Sequence, residues 1–214
     1  MRRLVKLSCC LFCLMLLAAN ADSISLAQRS ETLATQPREE TAIFLTELGS
    51  REPFVRQQAA EELARRADTD HLKLIEGYRL QEKNAQVRLA LDWALYRMGK
   101  NASLFSLVRS LDSAQVEQAA AYLKQLDSPQ PLYIFLGQTR RVAQARLLDV
   151  LAEIGDAETL ERLKPSLESF EPSVAVAAEQ AVEHINARLA QQQQPAEAQP
   201  TRPRTVGQSA ETAP

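Results

Sequence analysis

The chain is poor in the residues that carry most chemistry or staple small folds. Of 214 residues, three are cysteine, two histidine and one tryptophan, and aromatics make up 5%. The cysteines, Cys9, Cys10 and Cys13, all lie in one apolar N-terminal run. A chain cleaved after that run holds no disulfide, no thiolate zinc site and no cysteine nucleophile. His71 and His184 lie far apart and offer no paired spacing for a metal; they read as surface or helix-capping residues. Glycine is scarce, at six, and neither a phosphate-cradling loop nor a nucleophile elbow can be written from the glycines present. A formal charge of −2 gives no field suited to nucleic acid or an anionic membrane. No stretch alternates as a strand would.

What is present favours helices. Ala, Leu, Glu, Gln and Arg dominate, with the 45% apolar and 24% charged content of an ordinary soluble domain. The N-terminus has the anatomy of an export signal. Arg2, Arg3 and Lys6 precede an apolar run from Leu7 to Ala18, shorter than the roughly 20 residues that span a bilayer. Ala19-Asn20-Ala21 then supplies small residues for cleavage before Asp22. The expectation is a signal peptide over 1–21 and an exported protein, periplasmic or secreted, with no membrane span once the signal is gone. Losing Arg2, Arg3 and Lys6 takes the formal charge from −2 to −5.

A pattern then recurs about every 27–32 residues. Arg56-Gln57-Gln58-Ala59-Ala60 returns as Arg88-Leu89-Ala90-Leu91, as Glu117-Gln118-Ala119-Ala120, as Gln144-Ala145-Arg146-Leu147 and as Ala175-Val176-Ala177-Ala178. Each return sits on the second helix of a predicted helical hairpin. Pro53 and Pro172 open second helices, Asp70 and Asp156 open first helices as N-caps, and Gly49, Gly99 and Gly155 end helices. The fourth hairpin's first helix is read through Leu132, Ile134, Phe135 and Leu136. The helix holding Val87, Ala90, Leu91, Ala94 and Leu95 carries Leu89, Trp93 and Tyr96 on a second flank, as a middle repeat needs. A short repeat cannot close its own core, so its neighbours must cover it. Residues 22–38 read as a flexible lead-in, 39–190 as the repeat domain, and the Gln/Pro/Ala-rich 191–214 as a disordered tail.

Pro53-x-Val55-Arg56-x-x-Ala59-Ala60, Val87-Arg88-x-Ala90 and the endings at Leu95–Gly99 and Leu151–Gly155 resemble HEAT and HEAT-like repeats, as does Pro165 within a first helix. The resemblance implies an all-α fold: an α-solenoid, or superhelix, of about five antiparallel helix-pair repeats. It also implies a concave face of second helices that binds other macromolecules. The second-helix arginine at Arg56 and Arg88 gives way to Glu117, Gln144 and Ala175, which confines any polar ladder built on it to the first two repeats.

Candidate chemistry is thin. Glu39-Glu40 and Glu61-Glu62 read as solvated helix faces, and Asp68-x-Asp70 as capping rather than a calcium loop. Arg65-Arg66 belongs in a last helical turn, where the macrodipole favours cations. In repeat register, Glu61, Trp93, Tyr122, Asp149 and Gln180 occupy equivalent places. The candidate partner-binding set is therefore Arg88, Leu89, Asp92, Trp93, Tyr96, Tyr122 and Asp149, with inter-repeat packing as the alternative role for Trp93. The expectation is a non-catalytic scaffold that binds another envelope or secreted protein without a cofactor or metal. The alternatives are an accessory protein binding a ligand or cell-wall polymer and, further off, a lyase of the HEAT-like bilin kind.

Overall fold

Residue 53 is where this chain can most easily begin a long helix, because proline's missing N–H falls where a helix has no acceptor to offer. In the computed structural model, which describes residues 41–193, Pro53 is indeed at the helix start. The segments read as a signal, a lead-in and, apart from its first residues, a tail lie outside the described residues. Every regular element among the described residues is helical, and none is a strand. The chain divides into two compact units, at Ser110 and Leu111.

In the first unit, residue 41 is already helical and α1 covers 41–47. It is followed by α2 (Pro53–Arg66), a 3-10 turn (Thr69–His71), α3 (Leu72–Gln81), α4 (Ala85–Arg97) and α5 (Ser103–Arg109). Helix α4 is the axis: α2, α3 and α5 all pack on it. It buries Val87, Leu89, Ala90, Leu91, Trp93, Ala94 and Leu95, so it is apolar over most of its girth, as a helix with several neighbours must be, and leaves Gln86 and Arg88 exposed. Small residues set the closest contact, with Ala59 and Ala60 of α2 and Ala90 and Ala94 of α4 all at 0% exposure.

The ends of α4 are well specified. Asn84 accepts hydrogen bonds from the backbone N–H groups of Gln86 (2.9 Å) and Val87 (3.1 Å). At the other end Gly99 turns left-handed (φ +97°). There Gly99 N–H donates to Tyr96 and Lys100 N–H to Leu95, both at 2.9 Å, which is a Schellman closure. The turn before α3 differs from expectation. Asp70 does not cap α3; Asp68 accepts from Asp70 N–H at 3.0 Å and starts the 3-10 turn instead. Two residues between Asp68 and His71 cannot complete an α-turn on their own, so the shorter 3-10 bond closes first.

The second unit holds α6 (Val116–Leu123), a 3-10 segment (Gln130–Phe135), α7 (Arg141–Ile154), α8 (Ala157–Leu167) and α9 (Pro172–Gln193). Helix α9 packs on α7 and α8, and α6 on α7. The shared core is Leu147, Leu148, Val150 and Leu151 of α7, Leu163 of α8, and Val174, Ala178, Ala181 and Ile185 of α9. Asp156 and Thr159 form a reciprocal capping box at the start of α8. The C-terminal carbonyls of α7 are met from α9. His184 Nδ1 lies 2.9 Å from Ala152 O, and Arg188 donates to Ala152 O and Gly155 O. His184 is thus a capping residue of a neighbouring helix.

One element departs from expectation. The segment read as the fourth hairpin's first helix is not α-helical: six residues of 3-10 helix stand in its place. Pro129 and Pro131 each remove a donor, and Gly137 takes a left-handed φ of +77°. Leu132 and Phe135 are buried, but Ile134 is 63% exposed. Helices therefore pack in pairs within each unit, in an all-α arrangement consistent with helical repeats.

Candidate functional site

Five of the seven side chains singled out from the sequence lie on α4. Leu89 and Trp93 are buried, at 4% and 3% exposure. Trp93 stacks on half-buried Tyr96, with centroids 5.8 Å apart and planes 22° from parallel, and the Arg97 guanidinium lies 5.7 Å from the Trp93 ring. Asp92 is buried too, held by Arg79 of α3 through bonds of 2.9 and 3.2 Å. Arg88 is exposed. The other two belong to the second unit. Tyr122 of α6 is buried, and its hydroxyl accepts from Gln118 at 2.8 Å. Asp149 of α7 is exposed as a residue, yet desolvation raises its carboxyl pKa against the pull of Arg146 and Lys124. The structure thus stacks Trp93 on Tyr96, buries Leu89 on the same helix and leaves Arg88 and Asp149 exposed.

Arg56, part of the repeat motif, has a defined task. Its guanidinium pairs with Glu82 in a two-pronged contact of 2.7 and 3.0 Å and also donates to Ser50 O and Arg51 O. The bond to Arg56 holds the Glu82 carboxyl below its ordinary range, although burial pushes the other way. A polar tie therefore does link α2 to the α3–α4 turn.

The shortened segment before α7 creates something that the sequence reading missed. A groove of about 750 Å³ lies beside it, lined by Tyr133, Leu136, Gly137, Pro165, Phe170 and neighbouring polar residues. Phe170 is fully exposed, without a neighbour to cover it. Tyr133 forms a fixed wall: its hydroxyl lies 2.7 Å from Thr159 Oγ1 and 3.2 Å from Asp156, and the Arg162 guanidinium sits 5.5 Å from its ring. Burial raises the Tyr133 phenol pKa above its ordinary value. Three glutamates, Glu161, Glu168 and Glu171, and one arginine, Arg162, complete the lining.

No protein-family model matches this chain, and no curated protein does. The groove is therefore read from its own chemistry. Apolar and aromatic walls with a charged rim suit a peptide-like or protein ligand. A second, smaller hollow of about 260 Å³ in the first unit is walled by Glu76, Arg79, Asp92 and Lys100, whose charges pair with one another as Arg79–Asp92 and Lys100–Glu76. Among the described residues no group of three His, Cys, Asp or Glu side chains could hold a metal ion. No described helix is long and apolar enough to cross a membrane.

The signals for the groove were in the sequence. Pro129 and Pro131 precede Leu132–Leu136 and Gly137 follows it, and an apolar run bounded so closely leaves little room for an α-helix.

Proposed function

We propose that this protein is an exported, non-catalytic binding scaffold built from about five HEAT-like helix pairs, and that it takes another envelope or secreted protein through the groove of its second unit. The observation carrying this reading is Phe170, a large aromatic fully exposed at the edge of a groove already walled by Leu136, Pro165 and Tyr133. Exposed aromatics beside preformed apolar pockets are the residues on which interface energy concentrates. Export is supported by the N-terminal signal pattern. Arg88 and Tyr96 in the first unit remain accessible enough to serve as a secondary contact.

The test is a photo-crosslinking amino acid placed at Phe170 or, as a control, at exposed Glu179, which does not line the groove. A discrete adduct with another protein from position 170 and none from 179 is expected in the native host. Equal labelling from both positions, or no adduct from 170, would overturn the reading.

A further inference from the structure

We infer that the segment Pro200-Thr201-Arg202-Pro203-Arg204 of this chain's own tail docks into the second-unit groove. The inference rests on the groove being the binding site proposed above, and three observations lead to it.

The first is chemical fit. Prolines three apart favour the extended polyproline conformation, whose ridges dock into aromatic-lined grooves at little entropic cost. Tyr133 and Phe170 supply the rings, and Leu136 and Pro165 the apolar floor. The second is charge. Arg202 and Arg204 flank Pro203, and the groove lining carries three glutamates against one arginine. Glu161 and Glu171 already contact Lys164 and Arg141, but the first pair is exposed, and in the second Arg141 is exposed over a half-buried Glu171, so both are weak and exchangeable.

The third is reach. Helix α9 starts beside the Glu168–Glu171 end of the groove, one residue after Glu171, and its 22 residues extend about 33 Å from that end. Its far end lies at the start of α8, where Arg188 contacts Gly155. From Gln193 to Arg204, a chain extended at polyproline spacing covers about 34 Å. The tail thus has the length to return along α8 and bring Arg204 to the Glu168–Glu171 end. Pro200 then falls part-way along, towards Arg162.

The experiment uses the chain from Asp22 to Pro214, which has no native cysteine. A nitroxide is attached at Gly207→Cys, and paramagnetic broadening is read on the resonances of Leu136 and residues 165–171. Intramolecular docking predicts strong broadening at low protein concentration, lost in the variant Pro200→Ser/Pro203→Ser/Arg204→Glu. Absence of broadening, or broadening untouched by that variant, overturns the proposal. So does broadening that appears only between labelled and unlabelled copies and grows with concentration, which would make a second copy the occupant. The crosslinking result separates the two readings. An adduct from position 170 without tail broadening leaves the binding site standing and removes the tail as its occupant. Broadening without an adduct leaves an internal dock and removes the partner site.

Discussion

At the scale of single residues, two helix ends show opposite uses of the smallest side chains. Ala67 closes α2 in a left-handed conformation, φ 52° and ψ 33°, with its N–H donating to Leu63 O. An L-residue is strained there by about 1–2 kcal/mol, which glycine would not be. The larger unfolded-state entropy of glycine offsets part of the gain. Ala67→Gly should therefore raise stability by about 0.5–1 kcal/mol, read as an increase in denaturation midpoint; a decrease would show that the strain is absorbed elsewhere. Gly155 is the reverse case. Its backbone, φ −63° and ψ 155°, suits any residue, but an added Cβ would lie 2.5 Å from Leu151 O and 2.8 Å from Ile185 Cδ1. Gly155→Ala should cost about 1–3 kcal/mol through overpacking between α7 and α9, measurable by the same denaturant titration. The sequence marked Gly155 as a helix stop; that space rather than dihedral freedom demands it was visible only from the folded surroundings, Leu151 O, Ile185 and Thr159.

At the scale of elements, α4 carries the clearest energetics. Trp93 is 3% exposed and stacks on Tyr96, and Trp93→Ala should destabilise the fold by about 3–5 kcal/mol. A variant that melts like the parent would place Trp93 at a surface. The Arg56–Glu82 pair ties the flanking helices and carries a pH signature. Because the folded carboxyl lies below its ordinary pKa, its contribution is complete above the unfolded value of about 4.3. It is lost as pH falls through the lowered folded value. The difference in stability between parent and Arg56→Met should thus be flat from neutral pH down to the carboxylate range, at about 2 kcal/mol, and shrink in acid. A difference independent of pH would mean that Arg56 acts through its stem alone. Much of this was legible: the period placed α2, α4, α7 and α9, and the double apolar flank of α4 announced a helix covered on several sides. First helices were less legible. In α3, Ile75 is buried while Leu74 and Leu80 are 46% and 78% exposed, since a short helix with one neighbour buries a single narrow stripe. The groove was missed for a related reason: Leu132–Leu136 has the apolar content of a helix, and composition does not separate α from 3-10 when prolines set the turn.

At the scale of the whole molecule, the cysteines connect sequence, route and measurable outcome. Cys9, Cys10 and Cys13 lie within Leu7–Ala18, a run outside the described residues that is too short to span a bilayer of about 20 residues. Removal of 1–21 would leave helix packing as the means of cohesion, without a disulfide to form or reshuffle in an oxidising compartment. The helical pairs of both units fit that demand, since their buried side chains are overwhelmingly Leu, Ala, Val and Ile. Protein recovered from the compartment outside the cytoplasm should begin at Asp22, and thiol titration in denaturant should count none, against three for the unprocessed chain. A mature species that retains three titratable thiols, or an N-terminus upstream of Cys13, would show that the apolar run stays attached. The protein would then act from a membrane surface rather than as a released scaffold.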